Sequence, residues 1–275
     1  WSTGATGASV SGLSAGTYSV TVTDAGGCEA AATVVLSDPT GVTAMIMSWS
    51  DASCYGGADG EAMVTAGGGA GGYTYVWSDG QTTATATGLS AGQYKVTVSD
   101  ASGCEAVALV DIEEPDELVV EESGQRDVSC FGGSDGSATV LEEGGNAPYT
   151  YDWLGIDGTN NGPTQDGLTA GLYTIVVTDA AGCEASKDVL IVEPALLTAE
   201  VIFSSDASCG GGSDGSATVQ AAGGTAPYSY LWSNGSTDQT ATGLVAGSYD
   251  VTVMDANGCM AVSDIIEIVE PATPV

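Results

Sequence analysis

The sequence predicts an all-β chain of tandem β-sandwich repeats with negligible helix, and three observations carry that prediction. Tryptophan and cysteine recur at a near-constant interval. Short runs of alternating apolar and polar residues lie between Gly, Pro and Asp clusters, and one tyrosine phrase marks the same corner in every copy.

The interval comes first, because a period longer than 20 residues sets the architecture before any strand is assigned. Trp1, Trp77, Trp153 and Trp232 open the same phrase at spacings of 76, 76 and 79 residues, and Cys28, Cys104, Cys183 and Cys259 follow at 76, 79 and 76. Three extra residues in the third copy lie between Trp153 and Leu168 and read as a lengthened surface loop. A second cysteine column is Cys54, Cys130 and Cys209. Acid-Pro pairs close the copies at Asp38-Pro39, Glu114-Pro115, Glu193-Pro194 and Glu270-Pro271. The expected domains are therefore the C-terminal half of a repeat at 1–39 and complete repeats at 40–115, 116–194 and 195–275. A chain that opens in mid-repeat reads as a segment of a longer array.

Within a copy, no 3.6-residue period appears and strand signals dominate. An Asp-Gly turn leads into alternating residues such as Ala138, Thr139 and Val140, with Ala and Val inward. Next, GGNAPYTYDW and its equivalents place Tyr149, Tyr151 and Trp153 on one face of a strand. A Thr/Ala strand follows. The last strong signal is LSAGQYKVTVSD, where Tyr94, Val96 and Val98 alternate with Lys95, Thr97 and Ser99. Leu-x-x-Gly-x-Tyr before this strand, at Tyr18, Tyr94, Tyr173 and Tyr249, has the form of a tyrosine corner, so six or seven short strands per copy point to an immunoglobulin-like sandwich. Alternation places the Tyr and Trp columns in the core.

Composition excludes several functions. The 275 residues carry 36 acidic and 3 basic side chains, a formal charge of −33, and no histidine. Lys95, Arg126 and Lys187 stand far apart in the sequence, so no basic cluster exists to displace counterions from nucleic acid or to hold an anionic membrane. Without histidine the commonest general base and metal ligand is missing. No apolar run is long enough for a membrane helix. Glycine, at 41 residues, is about twice the usual share. Recurring Val, Thr, Tyr and Trp nonetheless distinguish the chain from a disordered acidic tail.

Candidate chemistry is sparse. GLSAG at 12–16 and 88–92 matches the Gly-x-Ser-x-Gly nucleophile elbow. It precedes a strand instead of a helix, has no histidine partner, and its Ser14 and Ser90 column becomes Thr169 and Val245. The expectation is a non-enzymatic chain with no catalytic residues. No CxxC occurs, so the cysteines read as disulfides of an oxidising compartment. Pairing within repeats joins Cys54 with Cys104, Cys130 with Cys183 and Cys209 with Cys259, leaving Cys28 a partner outside the chain. A staggered scheme joins Cys54 with Cys183 and Cys130 with Cys259. Bookkeeping favours the first, whereas sandwich topology places its partners at opposite ends. Acidic columns flank the cysteines, and oxygen-only clusters suit Ca²⁺. Candidate junction ligands are Asp59, Glu114 and Asp179, with the corresponding Asp135, Glu193 and Asp255 one copy on; against this, Asp is what such turns require. Asn234-Gly235-Ser236 is a formal glycosylation sequon in a hairpin tip, with no function attached. Trp49 is the copy-specific aromatic that could contact a sugar.

The phrases CFGGSDGSATV, APYTYDW, GLTAGLYTIVVTDAAGC and VEP of the third copy recur through nearly the whole chain and resemble the SprB repeat. The second copy departs at Gly71-Gly72, and the fourth has Gly210 after its cysteine. The resemblance implies a stalk segment of a very long, extracellular adhesin at a bacterial cell surface. It also implies type IX secretion in Bacteroidota and, in some members, gliding motility. Surface glycans, other surface polymers or neighbouring copies in a filament are the expected partners. The alternatives are an extracellular fibre, or a carbohydrate-binding accessory region of a large secreted enzyme.

Overall fold

The computed structural model describes residues 1–38, 40–156 and 162–272. Among them every regular element is a β-strand. The centre of the lengthened third-copy loop lies outside the described residues. Two compact units divide the chain, Trp1–Pro115 and Asp116–Val275.

In the first unit, β1 (Gly16–Thr23) and β2 (Glu29–Leu36) form an antiparallel pair with Gly16 opposite Leu36 and Thr23 opposite Glu29. The next six strands are β3 (Thr43–Ser50), β4 (Gly60–Gly67), β5 (Thr74–Trp77), β6 (Thr85–Leu89), β7 (Gly92–Ser99) and β8 (Glu105–Ile112). They build two antiparallel sheets in the orders β3-β4-β6 and β5-β7-β8. This distribution, first, second and fourth strands on one sheet and third, fifth and sixth on the other, is the A-B-E and C-F-G arrangement of an immunoglobulin-like sandwich without its D strand.

The second unit repeats the plan twice. β9 (Val119–Arg126), β10 (Gly136–Glu143) and β12 (Thr164–Leu168) form one sheet of the third copy; β11 (Thr150–Trp153), β13 (Gly171–Thr178) and β14 (Glu184–Ile191) form the other. In the fourth copy β15 (Thr198–Ser205), β16 (Gly215–Ala222) and β18 (Thr240–Leu244) pair as before. The opposite sheet combines β17 (Ser229–Trp232), β20 (Val251–Met254) and β21 (Met260–Val262), while β19 (Gly247–Tyr249) pairs with β22 (Ile266–Ile268). The two long strands of the third copy are thus each broken in the fourth. One extra residue between Cys259 and Glu270 is the cause: it tucks Ser263 into the ladder, where its N–H donates to Val251 O at 3.0 Å and its Oγ accepts from Val251 N at 3.1 Å.

Period-2 alternation fills each core. Ala138 and Val140 on β10, Trp153 on β11, Ile175 and Val177 on β13 and Val189 and Ile191 on β14 are buried together, with Tyr149, Tyr151 and Tyr173 packed at the margin. The corresponding clusters draw on residues 62–112 and 197–268. Trp77, Trp153 and Trp232 are 2, 3 and 1% exposed, and each indole N–H still finds a carbonyl, at Thr83, Gly162 and Asp238. Tyr18, Tyr173 and Tyr249 donate to the backbone oxygens of Ser14, Thr169 and Val245, four residues upstream, at 2.9 to 3.1 Å. The first GLSAG segment is therefore the approach to a tyrosine corner. One glycine is required by packing: a Cβ on Gly136 would stand 2.9 Å from both Ile191 Cγ2 and Leu168 O, and Gly60 and Gly215 face the same squeeze.

Candidate functional site

Two loop types, each carrying a cysteine, concentrate the conserved-by-repetition polar residues. The first, Asp-x-x-Cys-x-Gly-Gly-x-Asp-Gly, joins the first two strands of a copy. In the third copy Gly133 N donates to Cys130 O at 2.9 Å, and Asp135 accepts from Ser129 N at 2.9 Å and Ser129 Oγ at 2.7 Å. Asp127 accepts from Val192 N at 3.0 Å, and Glu193 accepts from Gly132 N at 2.5 Å. The loop is thereby laced to the last strand of its own copy. The same bonds recur as Ser53 and Gly56 onto Asp59 and Glu114, and as Ser208 and Gly211 onto Asp214 and Glu270, at 2.6 to 2.9 Å.

The second loop, Asp-x-x-Gly-Cys, closes the hairpin after the tyrosine-corner strand. Asp179 is buried, and its Oδ1 accepts from Ala181 N and Cys183 N while its Oδ2 accepts from Asn146 N, all at 2.8 to 2.9 Å. Asp100 and Asp255 repeat the arrangement with Ala70 N and Thr225 N as the third donor.

These bonds shift the carboxyls. The Ser53 and Ser208 hydroxyls, then the backbone N–H groups of the same serines, hold Asp59 and Asp214 below the ordinary carboxylate value. For Asp135 the Ser129 N–H leads, followed by its hydroxyl, and Arg126 adds to them. The Ala70 N–H is the largest influence on Asp100, and it too is lowered. Burial acts most strongly on Asp179 and Asp255 and pushes them up, but the several backbone N–H groups together outweigh it and both end low.

Asp59, Glu114, Asp135, Glu193, Asp179 and Asp255 each accept backbone N–H groups of their own copy, and among the described residues no three His, Cys, Asp or Glu side chains gather as a metal site. Their oxygens brace turns.

Pairing of cysteines within repeats is overturned. Cys130 is bonded to Cys259, with S–S 2.05 Å and Cα–Cα 5.7 Å, so a loop of the third copy is joined to a loop of the fourth. Cys104 and Cys209 are free and exposed, which removes Cys54–Cys104 and Cys209–Cys259; Cys28 is free and exposed as well. Cys54 and Cys183, by contrast, are disulfide-bonded. The physical reason is topological: within a sandwich the first-column loop and the second-column loop lie at opposite ends, and in the second unit the first-column end of the third copy meets the second-column end of the fourth. Beside the bridge, Asn257 Nδ2 donates to Ser129 O at 2.9 Å, a contact between copies that has no periodic signal in the sequence.

Trp49 differs from the other tryptophans. It lies on β3, 59% exposed, beside a cleft of about 420 Å³ lined by Ile46, Leu109, Val110, Asp51 and Asp111. In the third copy the equivalent position holds Gln125, whose Nε2 bridges Asp127 Oδ1 and Leu190 O at 2.7 and 2.8 Å.

A tandem array of β-sandwich modules, two successive ones joined by a disulfide, defines a repeat protein. The family model of the SprB repeat matches residues 48–82, 124–158 and 202–237, one stretch in each complete copy. No curated protein matches the chain. Among solved structures, similar folds include the three N-terminal domains of the Highly Immunogenic Outer Capsid protein of bacteriophage RB49, at 16% identity over 84% of this chain and 99% of that one, TM-score 0.42. Sidekick-1 immunoglobulin domains 1–5 match at 10% identity over 94% and 67%, TM-score 0.33. Extracellular domains 3–5 of Drosophila OTK match at 12% over 78% and 92%, TM-score 0.28.

Proposed function

We propose that this chain is a segment of an extracellular, adhesin-like stalk at a bacterial cell surface, in which tandem SprB repeats at 40–115, 116–194 and 195–275 act as covalently linked spacers. The Cys130–Cys259 bridge carries the reading, because joining successive copies resists extension and shear and requires an oxidising compartment. The formal charge of −33 supports it by keeping neighbouring stalks soluble and mutually repulsive. In its finer form the reading includes export by the type IX route and service in gliding motility, with surface polymers or other filaments as partners. Protease shaving of the intact producing cells tests it. Peptides of this chain are released without lysis if it is right, and only after lysis if it is wrong.

A second reading is favoured by Trp49. An exposed indole beside a cleft with carboxylates at Asp51 and Asp111 is suited to stack on a neutral sugar ring and accept its hydroxyls. A glycan screen with the purified chain tests it: selective binding that disappears in Trp49→Ala supports a carbohydrate-binding role in this copy, and binding unchanged by that substitution rejects it.

A further inference from the structure

The free cysteines Cys28, Cys104 and Cys209 follow a rule. In the one bridge between successive copies of the second unit, the first-column cysteine of a copy bonds the second-column cysteine of the next. Cys209 is a first-column cysteine of the fourth copy, and its second-column partner would lie in a copy that follows. Cys104 and Cys28 are second-column cysteines, whose first-column partners would lie in the first copy's N-terminal half and in the copy before it. None of those partners falls within residues 1–275.

The loops of the free cysteines have the geometry of the bonded ones. At Cys209, Gly212 N donates to Cys209 O at 2.8 Å, Ser208 N to Asp214 at 2.9 Å and Gly211 N to Glu270 at 2.6 Å. At bonded Cys130 the same three bonds are 2.9, 2.9 and 2.5 Å. At Cys104 the backbone N–H groups of Ser102 and Cys104 reach Asp100 Oδ1 at 2.9 Å, and Asp100 N donates to Cys104 O at 3.0 Å. At bonded Cys259 the corresponding distances are 2.9, 2.9 and 3.0 Å. Cys28 repeats them through Asp24. Both halves of the bridge are therefore shaped by their own copy, and the neighbour supplies the second sulfur and, at Cys130, the Asn257 amide that donates to Ser129 O.

We propose that Cys209, Cys104 and Cys28 are docking sites for a further copy of this module, each forming the bridge seen between Cys130 and Cys259. The ligand is a SprB-type repeat presenting the complementary cysteine. Each bond removes two protons and two electrons from two thiols, and a small disulfide oxidant such as oxidised glutathione takes them. The Cys209 thiolate attacks that disulfide and releases one glutathione thiolate; the partner thiolate then attacks the Cys209 sulfur of the mixed disulfide and releases the second. The inference rests on the tandem-module reading and is independent of adhesion, so failure of a surface-labelling or binding experiment leaves it standing.

The test extends the full chain at either end. One variant appends a copy of residues 116–194 after residue 275, and the other places a copy of residues 195–231 before Trp1, completing the half repeat. Each is oxidised with oxidised glutathione, alkylated and mapped without reduction. The expected result is a link from Cys209 to the second-column cysteine of the appended copy, and in the other variant a link from Cys104 to the added first-column cysteine. Alkylation of Cys209 or Cys104, complete in the parent chain, is lost; it returns at Cys209 when the appended copy carries Cys183→Ser, and at Cys104 when the copy placed before Trp1 carries Cys209→Ser. Thiols that stay fully alkylated in both variants, or links between two cysteines of one column, overturn the proposal. The Cys130–Cys259 peptide in the same digests reports that the parent fold is retained.

Discussion

The third and fourth copies share sheet order, a buried tryptophan and both cysteine loops, yet they differ in two places. In the third copy β13 and β14 run unbroken for eight residues each, whereas one added residue after Cys259 splits their counterparts into β19 to β22 around Ser263. Cys130 is bonded, whereas Cys209, in a loop of the same geometry, is free. The first difference shows that the sandwich absorbs an insertion as a bulge without moving its core, since Val251, Val253 and Ile268 stay buried. The second shows that cysteine pairing is decided by the adjacent copy and not by the loop itself.

Breaking the bridge has the largest expected effect. Closing a loop of 129 residues is worth about 5 kcal/mol in the chain-entropy model, so Cys130→Ser or Cys259→Ser lowers the unfolding midpoint of the second unit strongly, while Cys209→Ser leaves it unchanged. Denaturant titration with and without reductant measures both. Next come the cores. Trp153→Ala and Trp232→Ala each cost about 3–5 kcal/mol, and equal losses in the two copies demonstrate that the bulge is energetically silent at the tryptophan. Gly136→Ala, which drives a methyl against Ile191 and Leu168 O, costs about 1–3 kcal/mol by overpacking; Gly215→Ala in the fourth copy costs the same despite the broken strands.

Acid sharpens the comparison further. Asp135, Asp179, Asp214 and Asp255 have folded-state values below the unfolded carboxylate value of about 3.9. Their contribution is fully present above that value and is lost as pH falls through the lowered ones. The melting temperature of the chain therefore declines below about pH 4, and Asp179→Asn or Asp255→Asn flattens the decline for its own copy. The smallest effect belongs to the ion pair Lys187–Glu121, 2.8 Å long and largely exposed, which has no counterpart in the fourth copy. Lys187→Met changes stability by less than about 1 kcal/mol.

Much of the fold is legible in the residues because its signals are local. Tyr94, Val96 and Val98 alternate within one strand, Trp153 falls on the same face as Tyr151, and the tyrosine corner is a six-residue phrase. The role of the carboxylates is less legible, because an Asp serving backbone N–H groups and an Asp serving a cation look alike in one dimension; the three donors around Asp179 appear only in the fold. Pairing of the cysteines was hidden for a different reason. Counting favoured partners within a repeat, while the Cys130 and Cys259 loops come together only where two copies meet. The bulge did leave a trace: the interval from the second-column cysteine to the closing acid is 10 residues in the first three copies and 11 in the fourth. Glu193 and Glu270 likewise had a signal in the acid-Pro pairs, whose glutamate caps the glycine loop of its own copy.

Non-reducing peptide mapping of the purified, oxidised chain by mass spectrometry tests the central claim most directly. The expected result is a linked pair of peptides carrying Cys130 and Cys259, with Cys104 and Cys209 recovered as alkylated thiols. A Cys130–Cys183 or Cys209–Cys259 peptide would return the bridges to the interior of single copies and contradict the covalently joined array.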